Sequence, residues 1–315
     1  MGFVPSYLSE AERLGKYLSM PVTLFSDRGV LSVAGADAGS FLDNLLTSNV
    51  AMLAPGAARF AALLSPQGKI TVDMMVVHDH DPNHNHDRFL IDAPRALTAD
   101  LIKRLALYRL RAKVEITDQS DVYRVAAGWG DAAQPEALSF IDPRLPALGW
   151  RSFFKSDQAD HAMSPVELYD AHRIALGVPA GGRDFIYGDA FPHEALMDCL
   201  HGVDFKKGCY VGQEIVSRME HRGTARTRIA PVRFLEGVSP MEGTEALAGE
   251  RVIGSIGSVA PGGQALALLR LDRVAEALSD GVALMAGGLV FQVERRDFMS
   301  FDVPGTKQEE GAHHA

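Results

Sequence analysis

The stretch KKGCYVGQEIVSR, Lys206 to Arg218, carries the residue types best suited to chemistry. Cys209 is one of only two cysteines in the chain, and it follows two lysines and Gly208. A thiol near ammonium groups or a helix N-terminus has its thiolate stabilised, which makes it a stronger nucleophile and a better soft-metal ligand. Equally, Gly208 and Gly212 could form a tight turn in which Cys209 fills a small apolar space. The local residues leave both interpretations open.

The segment around this cysteine is basic, although the chain is acidic. Lys206 to Arg228 contains six basic and two acidic residues, a local balance of +4 in a chain of net charge −9. We therefore expect an anion-attracting surface here. The second cysteine, Cys199, stands beside leucines on a stretch with helical spacing and is predicted to pack in the core. His193 and His201 could join the cysteines around zinc, but the spacing lacks the paired ligands of zinc motifs, so we predict no metal site.

Composition excludes several classes of protein. The chain has 315 residues, 47% of them hydrophobic, which is enough for a sizeable core in two or three domains. Its acidic balance argues against a nucleic-acid coat or an anionic-membrane binder. With two cysteines, no secretory h-region and no long apolar run, we expect a bacterial-type cytoplasmic protein. The tract His78 to His86 has four histidines and could bind a metal, but a solvated loop is favoured.

The remaining pattern predicts an α+β fold that ends in a barrel. VTLFS and VLSVAG read as a hairpin about Asp27, and FAALLS and ITVDMMVV as a second hairpin about Pro66 to Lys69. Helical spacing follows in residues 38–46, 94–110 and 166–177. After Arg226, short β-type runs separated by glycine turns predict a small barrel.

These patterns suggest four parts. We expect an N-terminal α+β portion over residues 17–93 and a second α+β portion over residues 94–222, with interleaving of the two allowed. A barrel over residues 223–303 and a disordered tail over 304–315 complete the chain.

The string Lys207 to Glu214, followed by Arg218 and by His221-Arg222-Gly223, resembles the K-G-C-Y-x-G-Q-E signature of the YgfZ family. That family includes the mitochondrial factor that helps to mature [4Fe–4S] proteins. The segments FLDNLLTSNV, LLSPQGKITVDMMV, RIALGVPAGGRDF and FPHEALMD resemble family segments in the same order. The resemblance covers roughly residues 20–300.

The resemblance implies a fold like that of the glycine cleavage T protein. Two mixed α/β portions with ferredoxin-like elements and a C-terminal β-barrel would surround a central, folate-sized opening that accepts tetrahydrofolate. Asp73 matches an aspartate that works in T-protein folate chemistry. The catalytic candidates are Cys209, Lys207 and Asp73. The folate-binding candidates are Glu194, Arg173, Tyr210, Gln213, Glu214 and Arg218.

Three functions remain open. We favour a tetrahydrofolate-binding accessory factor that supports assembly or repair of iron–sulfur enzymes, with Cys209 as its thiolate; its partners would be those enzymes or assembly proteins, not nucleic acid or membrane. The alternative is a folate-dependent one-carbon transferase or demethylase that uses Asp73 as proton acceptor. A third is a binding module whose basic patch docks an acidic partner. Aminomethyl transfer is disfavoured, because the T protein does not share the cysteine signature.

Overall fold

The computed structural model describes residues 21–79, 86–156, 163–223 and 225–306. These residues form two compact units that interleave along the chain. The first unit holds the described residues up to Phe41, with Met52–Ala58 and Met74–Asp170. The second holds Leu42–Ala51, Arg59–Asp73 and the described residues from Ala171 onward. The disordered tail predicted for residues 304–315 and most of the histidine tract lie largely outside the described residues.

Among the described residues, nine strands precede the C-terminal region. They are β1 Val22–Phe25, β2 Arg28–Ala34, β3 Ala58–Leu64, β4 Ile70–Asp79, β5 Arg88–Pro94, β6 Glu115–Asp118, β7 Tyr123–Gly128, β8 Leu138–Ile141 and β9 Trp150–Lys155. One antiparallel sheet has the strand order β1-β7-β9-β8. The other has the order β3-β4-β5-β2-β6. The α+β class predicted from the sequence is confirmed.

Of the two predicted hairpins, one is wrong. β1 does not pair with β2 but with β7, in a register that places Thr23 opposite Ala127, while β2 pairs with β5 and β6. The chain between them therefore crosses from one sheet to the other. Local turn residues cannot distinguish such a crossing from a hairpin, because the two differ only in distant partners. β3 and β4 are adjacent, as predicted.

Five α-helices complete the described chain: α1 Ala38–Asp43, α2 Thr98–Arg109, α3 Val166–Leu176, α4 Gln213–Arg222 and α5 Leu271–Ser279. The helical spacing of residues 38–46, 94–110 and 166–177 correctly predicted α1, α2 and α3, whereas α5 lies where only short β-type runs were expected. The stretch around Cys199 is an exception, because it forms successive turns with positive φ at Leu196 and His201 instead of the expected helix. Cys199 is nevertheless buried, as predicted. Among the described residues, none of the helices is long and apolar enough to cross a membrane.

The predicted C-terminal barrel is confirmed. It is closed by six strands in the order β10-β13-β12-β11-β14-β15. Their bounds are β10 Thr227–Phe234, β11 Glu245–Ala248, β12 Arg251–Ala260, β13 Gln264–Arg270, β14 Leu284–Ala286 and β15 Leu289–Val293. The phenylalanine rings of Phe234 and Phe291 pack 5.5 Å apart in its interior. Closure removes the unpaired edges that short strands would otherwise expose.

Candidate functional site

The turn between β3 and β4 is the support for the cysteine loop. Ser65 and Lys69 close the turn, with the Lys69 carbonyl accepting from the Ser65 amide at 2.8 Å. Gly212 has φ of 80°, and a Cβ there would lie 2.6 Å from the Ser65 carbonyl oxygen. In return, a Cβ on Gly68 would lie 2.9 Å from Cβ of Ile215. Both glycines are therefore needed for the cysteine loop to approach this turn so closely.

Cys209 lies in this loop with its thiol exposed. It is a free cysteine, whereas Cys199 is buried and its sulfur lies 3.4 Å from the Ser300 hydroxyl. Cys209 precedes α4 by four residues, since α4 begins at Gln213. The exposure and the absence of a disulfide are what a reactive or cluster-binding thiol requires. Its role as a thiolate stays a prediction.

The neighbouring Lys207 is turned inward. Its ammonium donates to the carbonyls of Leu46 and Ser48 at 2.8 and 2.9 Å, and also to the carbonyl of Asp43. The Asp43 carboxylate lies 3.2 Å away. Burial lowers the pKa of Lys207, and Asp43 opposes that shift only in part. The lysine therefore ties the cysteine loop to the chain that follows α1, a structural role that could not be predicted from the local residues.

Other cations of the segment are also paired. Arg228 is buried and donates to both carboxylate oxygens of Asp198, at 2.9 and 2.7 Å. Arg218 is exposed and pairs with Glu214 one helical turn earlier, at 2.6 Å. The basic surface is thus smaller than a local charge of +4 suggests. The predicted folate contacts of Glu214 and Arg218 stay untested.

Tyr210 packs inside the loop. It is buried, and the Lys207 ammonium lies 5.6 Å from the centre of its ring. Burial, with a smaller contribution from Asp204, raises the pKa of Tyr210 to about 12. Its buried hydroxyl has no hydrogen-bond partner within the part of the chain that the structure describes. Gln213, the first residue of α4, is half-buried. These positions place both residues in the support of the loop, and their predicted folate contacts stay untested.

A second segment, residues 186–194, runs along the start of β4. The Gly188 amide donates to the carbonyl of Ile70 at 2.7 Å, and the Ile70 amide donates to Ala190 at 2.9 Å. The Lys69 ammonium lies 3.6 Å from the centre of the Phe191 ring. The β3–β4 hairpin therefore contacts both the cysteine loop and the segment that carries Glu194. In the sequence, the cysteine loop and Glu194 were separate candidates. The fold brings both segments against the same hairpin.

Asp73 on β4 is buried and accepts a hydrogen bond from the Tyr187 hydroxyl. Sequence reasoning missed Tyr187, which stands in an unremarkable stretch, RDFIYGD. A buried carboxylate on a strand requires a hydrogen-bond donor. That requirement could have identified a nearby tyrosine hydroxyl as its partner. Asp73 thus has the burial expected of a folate-orienting acid, and a phenol fixes one of its oxygens.

Glu194 is partly buried beside this hairpin. Its carboxylate accepts the Phe191 amide at 2.8 Å. Burial raises the pKa of Glu194, while the Phe191 amide and the Lys69 ammonium oppose the shift. A carboxylate that is partly desolvated and held by one amide can accept further N–H donors, such as those of a pterin ring. The predicted role of Glu194 in folate binding stays a prediction.

Arg173 does not have the surroundings of a ligand-binding arginine. It is 3% exposed, and its guanidinium donates to Asp184 at 3.0 Å and to the Ser258 hydroxyl at 2.7 Å. On the same helix, Arg173 is buried whereas Leu168 is 44% exposed, the reverse of the usual placement of charged and apolar residues. Arg173 thus has a structural role within the second unit. Its predicted contact with a folate carboxylate stays untested.

His193 lies in a cavity of about 520 Å³ in the second unit. Its Nε2 is 2.9 Å from the Glu220 carboxylate. Among the described residues, His193, Asp198 and Glu220 form a group with metal-ligand atoms within 4.8 Å of one another, and neither cysteine belongs to it. Because Arg228 already binds both Asp198 oxygens, the group reads as an ion-pair network.

Comparisons with known proteins agree with this architecture. Residues 22–156 match the GCVT N-terminal domain, and residues 226–301 match the CAF17 C-terminal beta-barrel domain. The aminomethyltransferase T of the glycine cleavage system from Bartonella henselae superposes with a TM-score of 0.70 and 16% identity, over 91% of this chain and 89% of that one. At that identity the likeness shows the fold alone.

Curated relatives are iron–sulfur cluster assembly factors. The IBA57 homolog of Mycosarcoma maydis is 35% identical over 68% of this chain and 57% of its own length, so the chain spans just over half of it. Human IBA57 is 33% identical over 68% of this chain and 67% of its own length. Both are named as mitochondrial, as is the Neurospora crassa homolog, and the predicted cytoplasmic location is therefore wrong. At this identity and coverage, the chain belongs to the family of the iron–sulfur cluster assembly factor IBA57.

Proposed function

We propose that this protein is a tetrahydrofolate-binding accessory factor for the assembly or repair of iron–sulfur enzymes, and that Cys209 is its working thiol. The observation that carries the proposal is the contrast between the exposed Cys209 and the buried side chains of Lys207 and Tyr210 in the same loop. Lys207 and Gly212 fix the loop, so the sulfur is presented at a defined position. A preorganised thiol binds or attacks with less loss of conformational entropy than one on a mobile loop.

The chemistry of a thiolate suits iron–sulfur substrates. A thiolate is a soft ligand and can take a coordination place on a cluster that is being delivered or repaired. Cys209 is the only cysteine exposed in the part of the chain that the structure describes, and Cys199 is buried beside Ser300. A single exposed thiol cannot hold a cluster by itself, so its other ligands would come from the partner protein.

Folate fits part of the residue set proposed for it. Asp73 and Glu194 offer carboxylate oxygens along one hairpin, and these match the N–H donors of a pterin ring. When bound, tetrahydrofolate would supply a ring able to carry one-carbon units. Arg173 does not fit, because its guanidinium is bound to Asp184 and Ser258. We therefore assign pterin recognition to Asp73 and Glu194.

The test is complementation in cells that lack the gene for this protein. Activities of an aconitase-type and a radical-SAM-type enzyme would be measured after restoring the wild type, Cys209→Ala or Cys199→Ala. We expect Cys209→Ala to restore neither activity, although it folds and binds tetrahydrofolate. Cys199→Ala serves as the matched control and should restore both. Full rescue by Cys209→Ala would refute the role of the thiol.

A one-carbon transferase is the second candidate, and the buried Asp73 with its Tyr187 donor favours it. Such a carboxylate can take a proton from a folate nitrogen during transfer. The purified protein would be assayed with folate-linked one-carbon donors, with Asp73→Asn as the variant. Turnover that Asp73→Asn abolishes would establish this activity, and the absence of turnover on any donor would exclude it.

A further inference from the structure

The C-terminal end of α2 carries an exposed apolar and basic surface in the first unit. Leu107 is 77% exposed, Tyr108 41% and Leu110 90%. Single exposed apolar residues are common, but three within four positions of the chain concentrate apolar surface at this end of the helix. Leu101 and Leu105 supply the buried face of α2, so Leu107, Tyr108 and Leu110 do not contribute to the core.

Cations surround the patch. A depression of about 570 Å³ is lined by Leu110 together with Arg88, Arg109, Arg111, Lys113 and Glu115. Four cationic side chains against one carboxylate give a local charge of +3 in a chain of net charge −9. Among the described residues, Arg109, Arg111 and Lys113 have no carboxylate within ion-pair distance of their charged groups, whereas Arg88 pairs with Asp79. Within the described part of the chain, these three charges are therefore not neutralised by an ion pair.

The backbone holds this surface in place. The Lys113 amide donates to the Asp37 carboxylate at 2.7 Å, and a Cβ on Gly35 would lie 2.1 Å from the Lys113 carbonyl oxygen, so the two segments touch. Leu110 has φ of 42° and ψ of −102°, a conformation that is unfavourable for a residue with a branched side chain. Strained residues of this kind cluster at functional sites, which favours a recognition role for this surface.

We propose that residues 107–113 form a docking surface for an acidic segment of a partner protein, with an apolar side chain of that segment seated on Leu107 and Leu110. A small anion would satisfy the arginines but leave both leucines in water. An acidic segment with an apolar residue satisfies both parts, with arginine forks binding carboxylates around an apolar centre. This surface lies in the first unit, and its failure would leave the proposal for Cys209, in the second, untouched.

The test uses fluorescence anisotropy with a labelled synthetic peptide of six glutamates and two leucines at low salt. We expect saturable binding that weakens steeply with added salt. The double variant Arg109→Ala with Arg111→Ala should weaken it by about tenfold, since two charged contacts are lost. The matched control is Lys103→Ala with Arg104→Ala, which removes the same number of charges from α2 outside the depression and should change the affinity by less than about twofold.

The apolar half of the proposal has its own variants. Leu110→Gly accommodates the positive φ, so it keeps the backbone and removes only the side chain; it should weaken binding several-fold. Replacing the peptide leucines by serines should have the same effect. Circular dichroism would confirm that each variant folds. No saturable binding, equal loss in the control pair, or equally tight and equally Arg109-dependent binding of anionic lipid vesicles or duplex DNA would overturn the proposal.

Discussion

Replacing Lys207 by methionine tests whether its ammonium holds the cysteine loop. The variant keeps the length of the side chain but loses the bonds to three carbonyls, including those of Leu46 and Ser48. Each hydrogen bond from a charged donor contributes about 1.5–3 kcal/mol, and removal of one member of a buried ion pair costs about 3–5 kcal/mol. Because Asp43 retains 21% side-chain exposure and methionine avoids the cost of burying an ammonium, we expect a loss of about 3 kcal/mol.

The assay must report on the second unit. Both tryptophans, Trp129 and Trp150, lie in the first unit, so tryptophan fluorescence would follow the wrong part of the molecule. Urea unfolding followed by far-UV circular dichroism should be combined with amide hydrogen exchange of residues 43–48 and 205–213. Amides in both peptides should lose protection in Lys207→Met, because the ammonium of the second peptide would no longer bind the carbonyls of the first.

Lys206→Met is the matched control, since the neighbouring lysine is exposed. A surface substitution of this kind should change the free energy of unfolding by no more than about 0.5 kcal/mol. If Lys207→Met is no less stable than Lys206→Met, the ammonium does not hold the loop. The original interpretation of Lys207 as a cation that serves the thiol would then become the stronger one.

Three further outcomes are expected. Iodoacetamide should modify Cys209 in the native protein within minutes and leave Cys199 unmodified until unfolding, because burial both shields the Cys199 thiol and raises its pKa; mass spectrometry of digests would show equal labelling if this is wrong. Gly212→Ala should destabilise the second unit by about 1–3 kcal/mol in urea unfolding, since its Cβ would strike the Ser65 carbonyl at positive φ. Glu194→Gln should stabilise the protein at pH 7, and the gain should disappear below about pH 4. Folding raises the pKa of Glu194, so at pH 7 the ionised carboxylate is less favourable in the folded protein than in the unfolded chain, and a neutral glutamine removes that cost. A gain independent of pH would contradict that assignment.

The sequence by itself determined the class of fold and the position of the cysteine motif. Short alternating runs after Arg226 predicted the barrel, and helical spacing predicted α2 and α3, because these patterns depend on neighbours a few residues apart. The same local pattern predicted the hairpin at Pro66 to Lys69 correctly. It failed between β1 and β2, where the pairing partners lie about a hundred residues away in the chain.

Tertiary structure alone decided which side chains are available. From the sequence, Lys207 and Arg173 were expected to be exposed cations. The carbonyls of Leu46 and Ser48 allow the lysine to be buried, and the carboxylate of Asp184 allows the arginine to be buried. The role of Tyr187 became apparent only from the fold, which places its hydroxyl within hydrogen-bond distance of Asp73. Local sequence records the tendency of a segment to form a helix or strand, whereas burial and pairing of charge depend on residues that only folding brings together.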